Sequence, residues 1–124
     1  MEPKKILLVD DDDECVEYIG SILTGDGFEV LSAGNGNEGL RRALSEHPDL
    51  ILLDVMMPDL DGWDTCDNIR ATKEIDGIPV VFLTCVEPPK SLYQAHGYLE
   101  TTWDEYLTKP IPKKELLAAV HQYV

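Results

Sequence analysis

Five short apolar runs, separated by stretches with helical periodicity, constrain this chain more than any other feature. The runs are "KILLV" (5–9), "FEVLSA" (28–33), "LILLD" (50–54), "PVVFLT" (79–84) and "EYLT" (105–108). The second alternates in polarity, whereas the first, third and fourth are almost continuously apolar. A strand with no polar side must be covered on both faces, which is the situation inside a parallel sheet. Between the runs, Val16, Ile19, Ile22 and Leu23 fall on one helical face, and Gly25 and Gly27 stop that helix. Leu40, Ala43 and Leu44 make a second stripe after "AGNGNEG". Residues 63–73 make a weaker third, with Cys66, Ile69 and Arg70 at inner positions, and Leu116, Leu117 and Val120 mark a last helix begun near Pro112. Strand–helix alternation from end to end predicts an α/β three-layer sandwich with right-handed crossovers. In such sheets ligands bind outside the carboxyl ends of the strands.

The chain has 124 residues, one domain's length, with no linker, repeat or low-complexity tract, so residues 1–124 read as one domain. Its formal net charge is −14, from 24 acids against 10 Lys and Arg. Such a surface repels phosphate backbones and anionic membranes, which argues against direct nucleic-acid or membrane binding. No apolar run approaches a membrane span, and Met1-Glu2-Pro3 does not begin a signal peptide. Cys15, Cys66 and Cys85 are odd in number and lack C-x-x-C spacing. They read as reduced thiols, and the expected location is cytoplasmic.

The ends of the apolar runs carry the chemistry. "ILLV" runs directly into Asp10 to Glu14, Asp54 closes "LILLD", Thr84 closes "PVVFLT", and Lys109 follows "EYLT" ahead of Pro110. Asp13 and Glu14 suit the acidic first turn of a helix, where the dipole favours them. That does not account for acids, a hydroxyl and a lysine gathered at one edge of the sheet. Two carboxylates about 4 Å apart oppose each other by roughly 4 kcal/mol at an effective dielectric of about 20. A divalent cation among them relieves this, and a hard, all-oxygen site that also takes phosphate suits Mg²⁺, with Mn²⁺ as a substitute. Asp54 is then the nucleophile of a phosphoryl transfer that forms an acyl phosphate. Asp11, with Asp10 behind it, holds the metal. Lys109 and Thr84 meet phosphoryl oxygens.

With these residues in view, the chain resembles the receiver domains of two-component response regulators along essentially its whole length. The resemblance rests on the acidic pair in "ILLVDD", on "LLDVMMPDLDGWD" with Asp54, Pro58 and Gly62, on Thr84 thirty residues after Asp54, and on "DEYLTKP" with Tyr106 and Lys109. It implies a flavodoxin-like (βα)5 fold with a five-stranded parallel sheet in the order 2-1-3-4-5. It also implies that Asp54 takes a phosphoryl group from a phosphohistidine on a histidine kinase or histidine phosphotransfer protein. Asp11, Asp54 and the backbone carbonyl of Met56 become the direct metal ligands, and Asp10 binds through water. Thr84 and Tyr106 become the switch, coupling phosphorylation to a face that a downstream effector protein reads. Such a domain modifies and slowly resets itself without turning over an external substrate.

Two other readings of these residues stand beside this one. A pseudo-receiver would use the same fold as a phosphorylation-independent interaction module. A Mg²⁺-dependent phosphohydrolase would be a true enzyme acting on an external phosphomonoester. The complete set of Asp11, Asp54, Thr84 and Lys109 argues against the first, because a scaffold has no need of mutually repelling carboxylates. His47, His96 and His121 have no metal or catalytic spacing and are expected at the surface. Trp63 and Trp103 are expected to pack or to touch a partner. "AGNGNEG" lacks the phosphate-loop glycine pattern and reads as a turn leading into a helix. The chain leaves the family pattern after Thr84: Lys109 follows 25 residues later, Cys85 replaces a smaller residue, and Pro88-Pro89 bars a helix interior. A short fourth helix starting near Ser91, a remodelled face at 85–105 and a monomer or weak dimer are the expectations. With no output domain after Val124, the expectation is a single-domain regulator or a piece of a longer protein.

Overall fold

The computed structural model describes residues 3–55, 62–84 and 104–124. Five strands, β1 (Lys5–Val9), β2 (Glu29–Ala33), β3 (Leu50–Asp54), β4 (Val80–Thr84) and β5 (Glu105–Thr108), form one sheet. All four neighbour pairings are parallel, and the order is β2-β1-β3-β4-β5. The described helices are α1 (Asp13–Gly25), α2 (Gly36–Glu46), α3 (Gly62–Ala71) and α4 (Lys113–Tyr123). The expected order and strand positions are therefore met.

The continuous apolar strands divide their side chains between two cores. Leu7, Val9, Ile51, Leu53, Val80 and Phe82 point to the side covered by α2 and α3, with Ala43, Trp63, Cys66 and Ile69. Ile6, Leu8, Leu50, Leu52, Val81 and Leu83 point to the other side, against Ile19 and Leu23 of α1 and Leu116, Ala119 and Val120 of α4. Successive residues of one strand serve opposite layers, so a polar residue inside β1, β3 or β4 would be buried on either side. Trp63 is accordingly a packing residue, set edge-on to Phe82 with centroids 4.9 Å apart.

Two strand boundaries shift, and two side chains expected on inner helix faces lie elsewhere, each for a local reason. Phe28 stays out of β2 because its N–H closes α1 by donating to Leu23 O at 3.1 Å. Pro79 stays out of β4, having no N–H for a ladder, although its carbonyl still accepts from Ile51 N. Leu44, expected on the inner stripe of α2, is exposed. The inner face runs instead through Gly36, Gly39 and Ala43. A Cβ on Gly39 would lie 2.8 Å from Val9 Cγ2, so the helix sits too close to β1 for a larger residue there, and this approach turns Leu44 outward. Arg70, likewise expected inward, lies at the sheet's amino end, where it donates to the carbonyls of Asp76 and Ile78 and pairs with Asp104 at 3.1 Å. "AGNGNEG" is the expected turn and helix start: Asn35 caps α2 by accepting from Glu38 N, and Glu38 reaches back to Gly34 N.

Candidate functional site

The carboxyl ends of β1, β3, β4 and β5 carry the site, and cross-strand backbone bonds fix each of them. Asp10 N donates to Ala33 O at 3.0 Å, Val55 N to Leu83 O at 3.1 Å, and Lys109 N to Thr84 O at 2.7 Å. The residues flanking the chemistry are thus continuations of the ladder. Asp54 ends β3, and Gly62 N donates to Val55 O at 2.9 Å, which sets the start of α3 against the end of β3. A Cβ on Gly62 would fall 2.5 Å from the Asp54 carbonyl oxygen and 2.7 Å from Val55 Cα, so only glycine fits against the backbone of the candidate nucleophile.

Asp10, Asp11 and Asp54 each offer a carboxylate oxygen within 4.8 Å of the others, with Asp10 and Asp54 buried and Asp11 exposed. Lys109 enters the same space: its ammonium lies 2.9 Å from Asp10 Oδ2 and 3.6 Å from Asp54 Oδ1. Asp10 is occupied on both oxygens, because Oδ1 accepts from Asp12 N at 2.9 Å. Burial alone pushes the Asp10 carboxyl up, but the bonds from Lys109 and the Asp12 N–H outweigh it and hold it below the ordinary carboxylate value. Burial likewise works to lower the Lys109 ammonium, and the bond to Asp10 with the fields of Asp54 and Asp10 overcomes it, so the lysine stays charged. Cys15, in the first turns of α1, is pushed up to about 12 by burial and by the Asp10 carboxylate, which makes it an inert thiol.

Thr84 is buried at the end of β4, one residue past the Asp54–Leu83 register pair. Tyr106 is half-buried on β5, opposite Phe82 and packed on the core shared by α2 and α3. Asp10, Asp11, Asp54 and Lys109 are therefore brought together, and Thr84 stands at the adjoining strand end. Met56, Pro58, Cys85, Pro88, Ser91, His96, Trp103 and the 85–105 face fall wholly or largely outside the described residues. His47 and His121 are at the surface, as expected. Two roles escaped the sequence reading. Asp12 is the N-cap of α1, accepting from Glu14 N, while its own N–H steadies Asp10. Cys15 sits beside the Asp10–Lys109 pair. The D-x-E spacing is a signal that would have found the cap; nothing in the sequence distinguishes Cys15 from an ordinary helix residue.

Three carboxylates facing one ammonium leave the cluster net negative, and the ligand atoms it offers are hard oxygens. The residues present therefore fit a small divalent cation.

A doubly wound sheet of this order, with acids and a lysine at its carboxyl edge, defines the class of CheY-like flavodoxin folds. The chemotaxis protein CheY4 of Vibrio cholerae superposes with a TM-score of 0.85 at 27% identity, covering 98% of this chain and 99% of that one. The response regulator receiver domain model matches residues 6–121, and the chain belongs to that family. It is 39% identical over 117 residues to the alkaline phosphatase synthesis transcriptional regulatory protein PhoP of Bacillus subtilis, covering 94% of this chain and 47% of the relative. It is 37% identical to the DNA-binding response regulator MtrA of Mycolicibacterium smegmatis, covering 94% and 49%. The chain spans about half the length of these curated relatives.

Proposed function

We propose that this receiver domain accepts a phosphoryl group on Asp54 from a phosphohistidine of a histidine kinase or histidine phosphotransfer protein, and that the modified form controls a downstream effector protein. The observation that carries this reading is the buried Asp54 carboxylate within 3.6 Å of the Lys109 ammonium, amid two further acids. An Asp54 oxygen attacks phosphorus in line with the bond to the imidazole nitrogen. That P–N bond breaks, and the imidazole leaves with its electron pair and takes up a proton. Lys109 keeps its own proton and pairs with a phosphoryl oxygen, while the Thr84 hydroxyl donates to another. Asp11 and Asp54, with the Met56 carbonyl, would hold Mg²⁺ or Mn²⁺ directly, and Asp10 through water. The bound ion supplies charge neutralisation between carboxylates and phosphoryl oxygens. Tyr106, packed beside Phe82, would follow Thr84 in the switch.

The product is a modified protein that resets by slow hydrolysis, so no external substrate is turned over. The net charge of −14 favours protein partners over nucleic acid. The DNA binding named for MtrA is that protein's own. The reduced thiols of Cys15 and Cys66 suit a cytoplasmic location, and no described helix is long and apolar enough to cross a membrane. A monomer or weak dimer is the proposed assembly.

Intact mass after treatment with acetyl phosphate is the test. One phosphate should be added to the wild type in Mg²⁺, and none to Asp54→Asn or to wild type with chelator. Equal labelling of both proteins would refute the assignment. No labelling by any donor, with partner binding intact, would favour the pseudo-receiver.

A further inference from the structure

Tyr18, at the sixth position past the N-cap of α1, is 49% exposed, a setting in which a tyrosine hydroxyl ordinarily faces water. Here it donates to the Ile111 carbonyl at 2.9 Å, joining α1 to the segment just after Lys109. That segment is short and already restricted. Lys109 N is bonded to Thr84 O, Pro110 has a fixed φ, and the Ile111 side chain is buried under α1 and α4. The other end of α1 is tied to the site as well, because Asp12 N donates to Asp10 Oδ1. The bonds form a closed circuit: Asp10 to Asp12, along α1 to Tyr18, across to Ile111, back to Lys109, and from its ammonium to Asp10 at 2.9 Å. A cavity of about 230 Å³ lies beside this circuit, lined among others by Cys15, Tyr18, Ile19, Lys109 and Pro110. Among the described residues no side chain fills that space, and the phenol is what braces the segment on this side.

We propose that Tyr18 is a positioning residue that holds Lys109 against Asp10 and Asp54 by fixing the Ile111 carbonyl. The part of this that concerns phosphoryl transfer rests on the function proposed above; the part that concerns where Lys109 sits does not. Tyr18→Phe keeps the ring over the cavity and removes only the donor.

The experiment reads both parts on the 124-residue chain. In protein labelled with ¹⁵N-lysine and free of metal, the ion-paired Lys109 ammonium should give a slowly exchanging signal, assigned by its absence in Lys109→Arg. In Tyr18→Phe that signal should broaden or move toward those of exposed lysines. Self-phosphorylation from acetyl phosphate in Mg²⁺ should slow about 3- to 10-fold at saturating donor, the effect of one hydrogen bond, with the half-saturating donor concentration unchanged. A merely structural hydroxyl would lower the thermal midpoint and leave the Lys109 signal in place, and that result would overturn the proposal. So would a slower rate with an unaltered Lys109 signal. If wild type takes no phosphate at Asp54, the proposed function fails, and the Lys109 signal alone still decides the part of Tyr18.

Discussion

Lys109 and Asp10 form a short ion pair, 2.9 Å from Nζ to Oδ2, in which the Asp10 side chain is fully shielded and that of Lys109 is 19% exposed. The acidic cluster is thus partly neutralised by the protein's own cation. A divalent ion entering the cluster meets a resident positive charge.

Replacing that lysine should therefore affect metal binding and metal-free stability in opposite directions. Lys109→Met leaves Asp10 buried without its cation, a loss of about 3 kcal/mol in metal-free buffer. It also removes a positive charge next to the proposed metal ligands, so Mg²⁺ affinity by calorimetric titration should rise at least about tenfold. Unchanged or weaker binding would show that the ammonium does not compete.

The pH dependence of metal-free stability follows from the same pair. The Asp10 value is depressed, so its contribution is present above the ordinary carboxylate value near 3.8 and is lost as pH falls through the lower folded value. The Lys109 value is raised, so its contribution is present below 10.5 and is lost as pH rises through the folded value. Denaturant midpoints should show a plateau between those limits. In Lys109→Met the shielded Asp10 carboxyl is raised instead, so the variant should gain stability relative to wild type on acidification from pH 7 to 5. Parallel curves for the two proteins would count against the pair.

Gly62 should tolerate no side chain. The Cβ of Gly62→Ala meets the backbone of Asp54 and Val55, which cannot step aside without moving the proposed nucleophile. The expected loss is about 2–4 kcal/mol of stability, with labelling of Asp54 impaired under conditions where the variant is folded. Normal labelling would mean the backbone has slack that these distances do not provide.

His47 offers a gain. It ends α2 in the left-handed region at φ 48°, exposed, with its N–H bonded to Ala43 O. A non-glycine residue there costs roughly 1 kcal/mol. His47→Gly should recover about that much, raising the thermal midpoint by a few degrees, with labelling of Asp54 unaltered. A lower midpoint would show that the imidazole makes a stabilising contact.

The order of chemistry along the chain was legible in the sequence. Continuous apolar runs demand a sheet covered on both faces, and a parallel sheet places every strand's carboxyl end on one edge. The sequence positions of Asp10, Asp54, Thr84 and Lys109 therefore already set them side by side. The stretches of helical periodicity were legible for the same reason, since burying one face repeats every three to four residues. Tertiary structure decided what depends on distances between elements. That Gly39 and Gly62, and not Leu44, sit at the closest approaches follows from the backbones of α2 and α3 pressing on Val9 and Asp54. That Lys109 pairs first with Asp10, that Asp12 steadies that carboxylate, and that Tyr18 reaches a carbonyl 93 residues away depend on packing between segments remote in the chain. Local periodicity carries no record of such distances, because they are fixed only when the two layers of helices close on the sheet.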